Sequence, residues 1–85
     1  MVQFSYKIKD PAGIHPRPAG KLINEARKYD CSYMISLGDK SCDMLKLLPL
    51  VGLGARKDDI ITVQVSGADE DAASDALMKH FEENL

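Results

Sequence analysis

The sequence predicts a two-layer α+β sandwich with a mostly antiparallel sheet. Two observations predict the layers: strand-type segments alternate apolar and polar residues, and helix-type segments have a single apolar stripe. A third observation, a Gly-Asp turn between two alternating segments, makes one pair of strands an antiparallel hairpin. Because one face of each strand is polar, we expect one face of the sheet to remain in water.

The first three predicted elements are a strand, a helix and a strand. Residues 2–9 alternate between apolar and polar side chains, and the Asp-Pro-Ala-Gly segment at 10–13 ends that strand. A helix follows, because apolar residues then recur three and four positions apart and share one face. The alternation returns at 33–37 and predicts the second strand. The apolar residues of the helix are Ala19, Leu22, Ile23 and Ala26.

The next two elements are a third strand and a short helix. A turn at Gly38-Asp39 leads into the third strand, where Cys42 and Met44 continue the alternation. The dense apolar run 47–53 is followed by Gly54, and a glycine after an apolar run is typical of a helix end. We therefore predict a short helix over this run.

A fourth strand and a last helix complete the chain. The segment 61–65 has apolar residues at alternate positions, and Gly67 ends it. Residues 69–71 are all acidic and mark the start of a helix, where the helix dipole favours negative charge. The apolar face of this helix is formed by Ala73, Ala76, Leu77 and Phe81.

Length and composition limit the possible functions. The 85 residues, 45% of them hydrophobic and 28% charged, indicate a single globular domain, 1–85. A net charge of −2 disfavours a nucleic-acid module, which needs a clustered basic face. No apolar segment is long enough to span a membrane and no secretion signal is visible, so we expect a cytoplasmic protein without membrane insertion. Cys31 and Cys42 match no metal or redox spacing and are expected to be reduced thiols.

The segment Gly13-Ile14-His15-Pro16-Arg17-Pro18-Ala19 is the strongest candidate for chemistry. His15 precedes the first helix, and Pro16 occupies the first helical position, where proline is favoured. A helix start attracts phosphate through its dipole and unpaired N–H groups, and Arg17 adds a planar donor suited to phosphate oxygens. The same field disfavours a charged imidazole, and a neutral imidazole has a lone pair that can attack phosphorus. A histidine before a helix is more often an exposed residue without a chemical role, so the residues alone leave both interpretations open.

The same segment resembles the active-site motif of the histidine-containing phosphocarrier (HPr) family of the bacterial phosphoenolpyruvate:sugar phosphotransferase system. The resemblance continues through 47–54 and 57–67 and covers nearly the whole chain. It implies an open-faced βαββαβα sandwich with four antiparallel strands and helices on one face. It also implies that enzyme I phosphorylates His15 on Nδ1 and that His15 passes the group to enzyme IIA domains of sugar permeases. Arg17 would act in catalysis together with His15, and both Arg17 and Pro18, in the first turn of the helix, would support the phosphate.

The short helix also has an expected role. Its apolar residues cannot all face inward, and we expect Leu50 and Leu53 to belong to the core. The resemblance indicates that the others form a surface for transient protein partners beside the histidine, with a rim of basic residues. The predicted docking residues are Leu47, Leu48 and Val51, and the predicted basic rim is Lys21 and Lys46.

Two positions depart from the family pattern. Family members commonly have alanine or threonine where this chain has Pro16, and proline cannot donate a backbone N–H to a phosphate. Many Gram-positive members have a regulatory serine at the position of Lys46, and lysine cannot be phosphorylated by a serine kinase. Ser41 lies in a strand pattern and is a poor substitute. We therefore expect a working but shorter-lived or differently tuned phosphohistidine and no serine switch.

The alternative is an HPr-like regulatory protein that binds partners without relaying phosphate to sugars. The presence of both His15 and Arg17 favours the relay. His80 has no neighbours at metal-ligand spacing and is interpreted as structural or solvated. We expect a monomer with no cofactor and no metal, which acts only together with its partner enzymes.

Overall fold

The computed structural model describes all 85 residues and contains four strands and three helices in the predicted order βαββαβα. None of the helices has the length and apolar character needed to cross a membrane. The strands are β1 (Val2–Lys7), β2 (Cys31–Leu37), β3 (Lys40–Asp43) and β4 (Ile60–Gly67). The helices are α1 (Pro16–Ala26), α2 (Leu47–Gly52) and α3 (Glu70–Asn84).

The four strands form one antiparallel sheet in the order β1-β4-β2-β3, so the expected antiparallel sheet is confirmed. Strand β4 is central and pairs with β1 on one side and β2 on the other. Val63 lies opposite both Phe4 and Ile35, and these three side chains share the face that the helices cover. The open face of the sheet is polar, with hydrogen bonds between Ser5 and Thr62 (3.0 Å) and other side chains across strands.

The core lies between the sheet and the helices and contains 20 buried hydrophobic residues. Phe81 of α3 is fully buried and contacts Phe4 edge-on, with 6.0 Å between ring centroids. The hydroxyl of Tyr33 donates to the carbonyl oxygen of Ala26 (2.7 Å), which ties β2 to the end of α1. The predicted apolar face of α3 is confirmed for Ala73, Leu77 and Phe81, which are fully buried, whereas Ala76 is half-buried.

Strand β1 ends two residues earlier than the sequence pattern predicts. The alternation runs to Lys9, but β1 ends at Lys7, because Lys7 pairs with Ile60 and β4 begins there. Ile8 is nevertheless fully buried, and its N–H donates to the carbonyl oxygen of Asp59 (2.9 Å). Burial thus extends one residue beyond the strand, and the chain then turns towards α1.

The short helix α2 agrees with the prediction for its two core residues. Leu50 is fully buried and Leu53 is 5% exposed, so both belong to the core. Gly54 has a φ of 72°, the left-handed conformation that commonly ends a helix and that glycine adopts without strain. The end of α2 is therefore determined by this glycine.

Asp58 is the single non-glycine residue with a positive φ (75°), and we expect Asp58→Gly to stabilise the protein. Left-handed backbone strains an L-residue by roughly 1 kcal/mol or more, and glycine relieves that strain at some entropic cost. The expected net gain is about 0.5–1 kcal/mol in the free energy of unfolding, measured by urea denaturation. Lys57→Gly is the matched control, because Lys57 is exposed and has no positive φ. That change should destabilise, and equal effects of the two substitutions would contradict the prediction.

Candidate functional site

His15 is the residue that caps the start of α1, as predicted. Its backbone is extended (φ −114°, ψ 170°), and its carbonyl oxygen accepts the N–H of Ala19 at 3.0 Å. Its side chain makes no capping hydrogen bond. The helix therefore begins without a capping hydrogen bond from the imidazole, which is 38% exposed.

Two anchors fix the backbone just before His15. Gly13 has a φ of 67°, and its Cα lies so close to the backbone of Ala55 and Arg56 that no side chain fits there. Ile14 is 4% exposed, and its N–H donates to the carbonyl oxygen of Ala55 (3.1 Å). The backbone segment that precedes the histidine is therefore packed against the loop before β4.

A small open depression of about 160 Å³ lies beside the imidazole. Arg17 and Lys21 contribute two cations to it from successive turns of α1, and Asp10 contributes one carboxylate. Its lining has the size and the positive charge that suit a phosphate-sized anion. The lining residues are Asp10, His15, Arg17, Pro18, Lys21 and Asn84.

The first turn of α1 offers few backbone donors to an anion. Pro16 and Pro18 have no N–H, so among the first three helical residues Arg17 alone has a backbone donor. A helix start without these prolines would present three such donors. An anion at this helix start would therefore be attracted mainly by the side chains of Arg17 and Lys21.

Asp10 belongs to the site, although sequence reasoning treated it only as part of a strand-ending turn. Its Oδ2 lies 3.7 Å from Nε2 of His15, and its Oδ1 accepts the N–H of Ala12 at 2.8 Å. The available signal was an Asp-Pro-Ala-Gly turn shortly before the candidate histidine, because Asp in such turns is held by its own backbone. Asn84, at the end of α3, also lines the depression and was not predicted, because no local sequence pattern indicates that the last helix ends beside the first.

The predicted site residues fall into two groups. Lys21 lies in the depression with His15, Arg17 and Pro18, whereas the residues of α2 lie outside it. Leu48 is 83% exposed and Leu47 is 41% exposed, while Val51 is half-buried against the core. Lys46 is exposed at the cap position of α2. The two leucines are thus exposed beside each other on α2, which packs against α1.

The second histidine has a different environment. His80 lies on α3, and its Nε2 is buried without a hydrogen-bond partner. Burial lowers the pKa of His80, and the carboxylates of Glu25 and Glu83 partly oppose this effect. His80 is absent from the lining of the depression, and no group of three or more His, Cys, Asp or Glu residues comes together in the chain. Cys31 and Cys42 are free thiols, each partly buried against the core.

Comparisons with known proteins agree with this geometry. Residues 2–83 match the family described as "PTS HPr component phosphorylation site". A phosphocarrier protein HPr from Mycoplasma genitalium is 36% identical over 85 residues, covering 99% of this chain and 97% of that protein. One from Buchnera aphidicola is 37% identical over 79 residues, covering 93% of each.

A solved structure gives the same result. The histidine-containing phosphocarrier protein of a mycoplasma superposes with a TM-score of 0.91 and 28% identity, covering 96% of this chain and 93% of that one. The open-faced sandwich is therefore shared between the two proteins. With a family match over nearly the whole chain and relatives above 30% identity, the chain belongs to the HPr family of phosphocarrier proteins of the phosphotransferase system.

Proposed function

We propose that this protein relays a phosphoryl group in sugar uptake, accepting it from enzyme I on His15 and donating it to enzyme IIA domains of sugar permeases. The observation that supports this most directly is the position of His15. Its imidazole makes no capping hydrogen bond and borders a depression that also contains Arg17 and Lys21. A nucleophile, a helix start and two cations at one exposed point suit reversible transfer of a phosphoryl group.

The proposed transfer needs little from the protein beyond charge and orientation. The lone pair of Nδ1 of His15 attacks phosphorus, and the bond between phosphorus and the donor nitrogen of enzyme I breaks. The electron pair of that bond returns to the donor nitrogen. Arg17 and Lys21 face the charge on the phosphoryl oxygens, which is the main task of a protein in phosphoryl transfer. The second transfer, to enzyme IIA, repeats these steps with His15 as the donor.

The exposed leucines of α2 are proposed as the docking surface for both partners. Leu47 and Leu48 are exposed, whereas the neighbouring Leu50 is buried, so α2 presents an apolar edge to solvent. Transient interfaces use such apolar patches with a charged rim. Lys21 and Lys46 provide positive charge, and Val51 contributes its exposed part. We propose one surface for both partners, which would require that they bind in turn.

A direct experiment tests the relay. The protein is incubated with enzyme I and phosphoenolpyruvate, and the mass of the intact protein is measured. We expect an adduct of one phosphoryl mass that is lost in acid and retained in base, as a phosphoramidate behaves. Addition of an enzyme IIA domain should discharge it. Absence of the adduct would contradict the proposal, whereas an adduct that no enzyme IIA domain discharges would favour the regulatory alternative.

The proline at the start of α1 leads to a prediction about the lifetime of the phosphohistidine. We expect Pro16→Ala to lengthen the half-life of the phosphorylated protein, because alanine restores a backbone N–H to the first turn. One added donor to a charged oxygen at an exposed site is worth about 1 kcal/mol, which corresponds to a roughly fivefold slower hydrolysis. The measurement is loss of the phosphoryl adduct with time at neutral pH.

Pro49→Ala provides the matched control for Pro16→Ala. Pro49 also lies in the first turn of a helix, α2, and it does not line the depression. Its replacement should leave the half-life unchanged. Equal half-lives of the Pro16→Ala variant and the unmodified protein would rule out a tuning role for Pro16.

The lysine at position 46 leads to a prediction about phosphorylation of the protein by a serine kinase. We expect no phosphate incorporation from ATP and an HPr-directed serine kinase, because the cap position of α2 holds a lysine and Ser41 lies within β3. Ser41 is exposed, but its backbone is paired with Ser36 in the sheet, so this segment is not free to adopt another conformation in a kinase active site. The measurement is incorporated phosphate, with a Lys46→Ser variant as the positive comparison. Incorporation into the unmodified chain would contradict the prediction.

A further inference from the structure

We propose that Asp10 is a positioning residue for His15, and its role in transfer rests on the phosphoryl relay proposed above. Its carboxylate holds the proton of the neutral imidazole on Nε2 and thereby leaves the lone pair of Nδ1 free to attack phosphorus. The motivating observation is the distance of 3.7 Å between Oδ2 of Asp10 and Nε2 of His15.

Asp10 is fixed through its backbone and one side-chain oxygen. Its N–H donates to the carbonyl oxygen of Leu85 at 2.9 Å, and its carbonyl oxygen accepts the N–H of Gly13 at 2.9 Å. Its Oδ1 accepts the N–H of Ala12 at 2.8 Å. These three hydrogen bonds involve the end of α3 and the turn before His15, so the carboxylate has a defined direction.

The remaining oxygen, Oδ2, is the atom that faces the imidazole. The side chains of Asp10 and His15 are 28% and 38% exposed, so solvent only partly screens their interaction. A separation of 3.7 Å is longer than an ordinary hydrogen bond, and such bonds are commonly long in unliganded sites and shorten in the working complex. The remaining ring nitrogen, Nδ1, makes no capping bond to the helix start.

This arrangement selects between the two tautomers of the neutral ring. A carboxylate accepts hydrogen bonds and cannot donate one, so a proton on Nε2 gains a partner and a lone pair on Nε2 is repelled. The partner of one ring nitrogen determines which nitrogen has the proton. Asp10 therefore favours the Nε2–H form, in which Nδ1 is the nucleophile.

The carboxylate also matches the charge that develops during transfer. As the bond between Nδ1 and phosphorus forms and the bond between phosphorus and the donor breaks, the proton stays on Nε2 and the ring becomes more positive. Asp10 lies on the Nε2 side and stabilises that charge, as a buried carboxylate does for a catalytic histidine in hydrolases. Arg17 and Lys21 line the same depression and offset the repulsion between Asp10 and the phosphoryl oxygens.

Substitution Asp10→Asn tests the proposal, because asparagine keeps the oxygen that accepts the N–H of Ala12 and removes the negative charge. The tautomer ratio of His15 is measured by nitrogen NMR of histidine-labelled protein at about pH 9, above the ordinary range of histidine titration. We expect the ratio of Nε2–H to Nδ1–H to fall roughly three- to tenfold. The rate of phosphorylation by enzyme I should fall by a similar factor.

Asp43→Asn is the matched control. Oδ1 of Asp43 accepts the N–H of Leu45 at 2.9 Å, which is the same kind of turn, and Asp43 does not line the depression. Its replacement removes one negative charge and should leave the tautomer ratio of His15 unchanged. An unchanged ratio in Asp10→Asn, or an equal shift in Asp43→Asn, would overturn the proposal.

The role of Asp10 and the phosphoryl relay can be disproved separately. A normal phosphoryl adduct together with an unchanged tautomer ratio would exclude the role of Asp10 and leave the relay in place. A shifted ratio in a protein that enzyme I never phosphorylates would exclude the relay and leave the effect of Asp10 on the tautomer in place.

Discussion

Replacement of His15 by alanine is expected to abolish the phosphoryl adduct and to leave the fold intact. In the proposed relay the imidazole supplies the nucleophilic nitrogen, and alanine has no group that can replace it. The fold should survive because the side chain of His15 makes no capping hydrogen bond and is more than a third exposed. The expected change in the free energy of unfolding is below about 1 kcal/mol, as for other exposed positions. Mass spectrometry after incubation with enzyme I and phosphoenolpyruvate measures the adduct.

Two further variants serve as controls for the loss of the adduct. Asparagine is a good helix cap, so His15→Asn should be at least as stable as the unmodified protein and should still lack the adduct. His80→Gln changes the other histidine and should retain the adduct, because His80 lies outside the depression. A phosphoryl adduct on His15→Ala, or its loss in His80→Gln, would contradict the assignment of His15.

Gly13→Ala is expected to produce the largest loss of stability at the site. An alanine Cβ would overlap the carbonyl oxygen of Ala55 and come within 2.8 Å of Cα of Arg56, and the φ of 67° adds backbone strain. Left-handed strain and overpacking together should lower the free energy of unfolding by about 2–5 kcal/mol. For a domain of this size that corresponds to a fall in Tm of more than about 10 °C. Thermal and urea unfolding measure the effect.

Gly20→Ala is the control for this substitution. Gly20 lies within α1, has no positive φ, and no neighbouring atom lies within 4 Å of a Cβ built there. Alanine should therefore stabilise α1 by roughly 0.5–1 kcal/mol, the usual difference between the two residues in a helix. A Gly13→Ala protein as stable as the unmodified chain would show that the segment before His15 is not fixed by Ala55.

The architecture was largely predictable because its signals are local. Alternation and helical spacing depend on near neighbours along the chain, and the order of all seven elements followed from them. The end of β1 was wrong by two residues because a strand needs a partner, and β4 begins opposite Lys7. The strand order β1-β4-β2-β3 depends on contacts between distant segments, which no local pattern contains.

The candidate site was predictable only in its central part. His15 and Arg17 stand at a helix start that prolines mark clearly, so their neighbourhood follows from the sequence. Asp10 faces His15 because the turn between them reverses the direction of the chain. Asn84 lies near the other end of the sequence and reaches the depression only through the tertiary fold. The pairing of Oδ2 with Nε2 depends on side-chain directions, and residue spacing does not specify those.

The strand order has a consequence for the time course of folding. Strand β1 pairs with residues that lie 53 to 63 positions later in the chain, whereas β2 and β3 pair across a two-residue turn. Closing a long loop costs more entropy than closing a short one, so we expect the hairpin to form early and β1 to join late. His15 lies eight residues after the end of β1, and the N–H of the preceding Ile14 donates to the carbonyl oxygen of Ala55, in the loop before β4. A growing chain would thus expose His15 early in synthesis but complete the surroundings of this residue only after β4 has been made.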